Sequence, residues 1–127
     1  MVAIFIVALC LLCFQVINLQ AAPKIAVEVR HGGTDSVGNR LADKIIEDLR
    51  RISRLRIAVK DEPRLVLSIS TTDPEMGVQK GTITVYSVAW YLEPSGMFLG
   101  HFSGACGSDR VKAVAKDLVV KTDKLVH

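Results

Sequence analysis

Between residues 36 and 52 the apolar side chains Val37, Leu41, Ile45, Leu49 and Ile52 recur at spacings of four, four, four and three. That spacing lines them along one side of a helix and leaves Asp43, Lys44, Glu47, Asp48, Arg50 and Arg51 on the remainder. On either side of this stretch the period changes to two. "KIAVEVR" sets Ile25, Val27 and Val29 against Lys24, Glu28 and Arg30, and "LRIAV" alternates through Leu55, Ile57 and Val59. A one-striped helix between two half-buried strands has a single economical solution, which is to lay the stripe on a sheet.

The turn "HGGTDS" separates the first strand from this helix, with Thr34, Asp35 and Ser36 as candidate N-caps. After "KDEP", Pro63 opens a strand in which Leu65, Leu67 and Ile69 share a face. "TTDPEMGVQKG" then reads as a flexible hairpin connection. "TITVYSVAWYL" is rich in β-branched and aromatic residues without clean alternation, which suits a central strand. "EPSG" makes a tight turn and "MFLGHFSGAC" returns as the last strand. "SDRVKAVAKDLVVKTDKLV" closes the chain as a capped helix, with Val111, Ala115, Leu118, Thr122 and Leu125 on one side. The expected fold is an α+β two-layer sandwich of order β-α-β-β-β-β-α, two helices on one mixed sheet, with the later strands forming a meander. The first strand–helix–strand unit is a right-handed crossover if its strands are parallel.

The first 23 of the 127 residues carry no charged side chain. An apolar run from Val2 to Phe14, followed by a polar stretch and the pair Ala21-Ala22, fits a secretory signal of residues 1–21, leaving residues 22–127 as a single domain. A retained membrane anchor is the rival reading, weakened by Gln15 and Asn18 inside the run. Lipid attachment at Cys10 or Cys13 is disfavoured by the leucine before each. Cleavage removes both cysteines, and Cys106 alone makes neither an internal disulfide nor a thiolate-rich zinc site. The hydrophobic core must therefore hold the fold. A formal charge of +3 with acids dispersed among the bases lacks the concentrated field of a nucleic-acid binder.

Candidate chemistry is sparse. Arg50, Arg51, Arg54 and Arg56 crowd the joint between helix and strand, where they serve either as a solvated surface complementing the helix dipole or as a patch for an acidic partner or lipid headgroup. No aromatic is interleaved with them, which argues against base stacking. Cys106 and His101 are five apart, so a continuous strand puts them on opposite faces; His31 is the other histidine that folding can bring near the thiol. The same three residues have no paired spacing for a metal, and no cofactor motif is present. The glycine-bearing turns "RHGGTDS" and "SGACGSD" are weak anion seats. Trp90 and Tyr91, adjacent on one strand, cannot both face the helices, and the one on the open sheet face is a reasonable protein-binding anchor.

The phrases "KIAVEVR", "LADKIIEDLRRISRLRI" and "DRVKAVAKDLVVKTDKL" resemble, in order and wording, the amino-terminal domain of the TolB family and the small LpoB-type envelope domains. The resemblance spans nearly the whole chain beyond the apolar segment. It implies an α+β module that acts by contacting other envelope proteins, without catalysis. The propeller that follows in TolB has no counterpart here, nor does a long flexible segment before the first strand, so no individual binding residue is carried over. The expected role is an exported, periplasmic interaction or assembly accessory whose contact surface uses the four arginines with Trp90 and Tyr91. The alternatives are a small thiol enzyme built on Cys106 and a membrane-tethered domain with a lipid-contacting basic patch, the latter requiring the N-terminal segment to be retained.

Overall fold

The computed structural model describes residues 23–59, 61–75 and 80–126; the proposed signal lies outside them. The elements run β1 (Ile25–Gly32), α1 (Ser36–Leu49), β2 (Leu55–Ile57), β3 (Arg64–Thr72), β4 (Ile83–Glu93), β5 (Phe98–Gly107) and α2 (Val111–Leu125). One five-stranded sheet in the order β2-β1-β3-β4-β5 carries both helices, which pack on each other as well as on the strands. The expected element order and two-layer class are those of the molecule.

β1 pairs in parallel with β2 on one side and with β3 on the other, so β2 and β3 are not neighbours. The meander therefore begins only at β3, whose antiparallel pairing to β4, and that of β4 to β5, follows hairpin connections. Sequence periodicity reports which face a strand buries and carries no information on which strand lies beside it.

The helix-facing side of the sheet holds the core. Val27, Leu65, Leu67, Ile69 and Val88 are fully buried against the α1 stripe Val37, Leu41, Ile45 and Leu49, and Leu118 and Ala115 of α2 complete the layer. Each large aliphatic side chain so buried stabilises the fold by about 1.5–3 kcal/mol relative to exposure. Ile52 lies just past the end of α1, only partly buried against this cluster. β4 alternates after all: Thr84, Tyr86, Val88 and Trp90 are buried while Val85 and Ser87 are exposed. The pattern was masked because a buried position holds a threonine and an exposed one a valine.

Asp35 is the N-cap of α1, its Oδ2 accepting from the Gly38 amide at 2.9 Å. Burial pushes this carboxyl up, but hydrogen bonds from Thr84, Thr71 and the Gly38 amide outweigh it and hold it below its ordinary range. α2 departs from expectation, because Arg110 occupies the N-cap and no side chain caps the helix. Leu125, placed on the buried stripe by its spacing, is 39% exposed at the last position of the helix.

Candidate interaction surface

The four arginines differ in what they touch. Arg50 is the exposed C-cap of α1. Arg51 follows it and pairs with Glu47 at 2.8 Å and with Asp48 at 3.8 Å. Arg54 reaches across to α2, its Nε and Nη2 each 2.6 Å from the two carboxylate oxygens of Asp123. Arg56 lies on β2 opposite Ala26 and makes a two-point pair with Glu62. A two-point guanidinium–carboxylate pair fixes geometry as well as charge, so Arg54 and Arg56 are held in place by their acids, whereas Arg50 and Arg51 are the most open members of the cluster.

The Glu62 carboxyl, which also accepts from the Val59 amide at 2.7 Å, is lowered from 4.5 to about 2, first by Arg56 and then by that amide. A depressed folded-state value means that this contribution is present above pH 4.5 and is lost as the pH falls toward 2. Glu62→Gln should therefore lower the thermal midpoint modestly at pH 7, and the difference from the parent should shrink steadily toward pH 2. A gap of constant size across that range would contradict this account.

The aromatic anchors divide as adjacent strand positions must. Trp90 is 4% exposed, and its Nε1 donates to Thr122 Oγ1 at 2.9 Å, so it is a core residue and unavailable as a surface anchor. Tyr91 lies on the open face, where its hydroxyl accepts from Arg30 Nη1 at 2.8 Å. Arg30 also pairs with Glu28 at 2.5 Å. Its side chain thereby spans the position between Glu28 and Tyr91 in the register, which is held by Val66, fully buried on the face that has no helices. Next to Tyr91 in the β4–β5 register is Phe98, 63% exposed.

Cys106 is 1% exposed on the helix side, with its Sγ 3.4 Å from the Gly107 carbonyl. Burial pushes its thiol up from the ordinary value, offset in part by Arg40 and Arg110. His101 is exposed in register with Ala89, five positions away, whereas Cys106 pairs with the buried Thr84. His31 is engaged elsewhere, its Nε2 lying 2.7 Å from Thr71 Oγ1. Thr71 Oγ1 donates to Asp35 Oδ1 at 2.7 Å, so it accepts from His31 and the proton sits on Nε2. The first glycine-bearing turn is thus an anion seat already filled by Asp35. Iodoacetamide at pH 7.5 should alkylate native Cys106 at least about 100-fold more slowly than the guanidinium-unfolded chain. Comparable rates would restore the thiol-enzyme reading.

Hollows mark the described surface at several places. One of about 400 Å³ lies at the carboxyl ends of β1 and β3, walled by Gly33, Asp35, Thr71, Asp73 and Lys80. Another of about 270 Å³ lies between β5 and α2, with Trp90, Phe102 and Leu125 in its wall. A third, of about 310 Å³, is the groove between the two helices. Ile52, Val119 and Val120 supply its apolar lining, and Lys44 and Arg51 from the α1 side face Lys112 and Lys116 from α2. Arg40, bonded to the Ser108 carbonyl at 3.0 Å, and Arg54, bonded to Asp123, tie the α1 segment to the α2 segment. Of the groove residues, Arg51 is the one that the sequence marks as a candidate site residue. Lys112 and Lys116 go unmarked there because their significance comes from lying across from α1.

An α+β sheet with two helices on one face and an open, partly charged opposite face defines a class of small domains. No protein-family model matches the chain and no curated sequence is similar to it. The fold itself is found in solved structures. TolB of Acinetobacter baumannii superposes with a TM-score of 0.58 at 14% identity, over 84% of this chain and 29% of TolB. A DUF330 protein of Xanthomonas campestris gives 0.55 at 9% identity, over 78% of this chain and 85% of its own. PelC of Paraburkholderia phytofirmans, solved as a dodecamer, gives 0.51 at 21% identity, over 77% and 85%. The chain therefore has a TolB-like fold. Among the described residues no helix is long and apolar enough to cross a membrane.

Proposed function

We propose that this chain is an exported, periplasmic accessory domain that works by contacting other proteins of the cell envelope and carries out no chemistry of its own. The observation that carries the reading is the fold, which superposes over 84% of this chain on 29% of TolB, one part of a larger protein. The site chemistry agrees with it. The nucleophile singled out by sequence, Cys106, is buried away from His101 and His31, while the accessible features are a basic-rimmed groove and an exposed hairpin end. Surfaces of this kind bind rather than react.

Mild in-cell crosslinking of the tagged full chain, with mass spectrometry of its N-terminus and of attached proteins, tests the reading. A defined envelope partner on a chain that begins at Ala22 is the expected result. A chain with its N-terminus intact and no protein partner would sink it and favour the membrane-tethered alternative.

A further inference from the structure

We infer that the groove between α1 and α2 is the docking surface of this domain, and that its occupant is a short segment of another protein, apolar on the side it buries and bearing Asp or Glu beside it. This inference rests on the interaction-domain reading above and gives that reading a location and a partner chemistry.

Two positive charges beside the groove are left uncompensated by the chain. On the α1 side, Lys44 lies 3.2 Å from Glu47 and 3.4 Å from Asp48, and Arg51 pairs with the same two acids, so that rim is neutralised locally. On the α2 side, Lys112 and Lys116 have no acidic partner among the described residues; the neighbouring Asp117 is taken by Lys121 at 2.7 Å. These two lysines stand four apart on one helix face, an arrangement that costs a helix a few tenths of a kcal/mol. Lys112 also sits in the first turn of α2, which contains no acid, so its charge adds to the positive end of the helix dipole. Folding has thus set two repelling cations on one helix face, the first of them at the unfavourable end of the helix. An anion arriving at the groove relieves both penalties.

The groove floor sets the second requirement. Val120 is 41% exposed and Ile52 is partly exposed beside the buried Val119, so apolar surface faces water between the charged rims. A ligand that satisfies the lysines alone leaves this surface wet, whereas an amphipathic segment covers it and reaches the lysines together. The recess also distinguishes a protein segment from a membrane. A bilayer surface meets protruding, continuous positive charge, but here the cations flank a concavity and alternate with Glu47 and Asp48 on the α1 side. Two discrete acids can match Lys112 and Lys116, and a continuous anionic sheet would also meet those carboxylates.

The test places a benzoylphenylalanine photo-crosslinker at Val120 in the full chain and, in a separate protein, at the exposed Ser87 on the open sheet face. Irradiation in cells followed by mass spectrometry should map the Val120 adduct to one segment of one envelope protein, apolar with flanking Asp or Glu. Combining Lys112→Glu with Lys116→Glu should reduce that adduct by at least roughly tenfold. Changing the partner segment's acids to lysine should then restore it. The milder pair Lys112→Gln and Lys116→Gln should lose part of the adduct while unfolding at or slightly above the parental temperature, which separates lost contact from lost fold. A protein adduct at Ser87 with none at Val120 overturns the groove and leaves the interaction-domain reading standing. Phospholipid or a second copy of this chain attached at Val120 also overturns it, as does a protein adduct indifferent to charge reversal. No protein adduct at either position removes both readings.

Discussion

Trp90→Ala should destabilise the fold by roughly 3–5 kcal/mol, the usual cost of truncating a buried large aromatic. The indole is 4% exposed between the sheet and α2, so its removal opens a cavity beneath that helix. Its loss also strips Thr122 Oγ1, which donates to the Leu118 carbonyl at 2.8 Å, of the hydrogen bond that it accepts at 2.9 Å. Thr122 is fully buried, and water cannot replace the missing donor without entering the core. Trp90→Phe keeps much of the packing and loses the N–H, so it should fall between parent and alanine variant. Equilibrium unfolding in urea measures all three. A loss below about 1 kcal/mol for the alanine variant would mean that the indole is not the wedge between sheet and helix described above.

Gly38→Ala should be the second large effect. A Cβ at this position would overlap Thr71 Oγ1 and come within 2.6 Å of Asp35 Oδ1 and Thr71 Cβ. Neither neighbour is the free end of a flexible side chain. Thr71 is 5% exposed and sits in the chain of hydrogen bonds from His31 to Asp35, while Asp35 caps the helix through the Gly38 amide itself. Relief of the overlap must therefore break the relay, the cap or the contact between α1 and β3. Overpacking and a broken buried bond together should cost on the order of 2–4 kcal/mol. Gly100→Ala is the control, since a Cβ there meets nothing within 4 Å. Its unfolding midpoint should stay near the parent's, and equal losses at the two glycines would refute the steric account.

Asp35 illustrates how a local signal became a larger one. As an N-cap it was legible from "HGGTDS", because a short acceptor side chain before an apolar-periodic run is a local pattern. Its bond from Thr71 joins residues 36 positions apart, and no local pattern reports such a partner. The arginine cluster shows the reverse. Four cations adjacent in sequence look like one surface, yet Arg54 and Arg56 are each occupied by a carboxylate, the first on α2 and the second six residues away.

The strands and helices, the α1 stripe, the class of fold and the opposite facing of Trp90 and Tyr91 were all written in the order of apolar and polar residues, because facing follows from the repeat of a strand or helix. Which of the two aromatics enters the core, which strands adjoin, and which cations share a groove depended on the tertiary structure. β2 and β3 lie on opposite sides of β1, and Lys112 and Lys116 lie across from Lys44 and Arg51 only because α1 and α2 settle on one face of the sheet. The strand neighbours are 30 and 38 positions apart and the groove cations more than 60, and the periodicity that determines each element is silent on its neighbours.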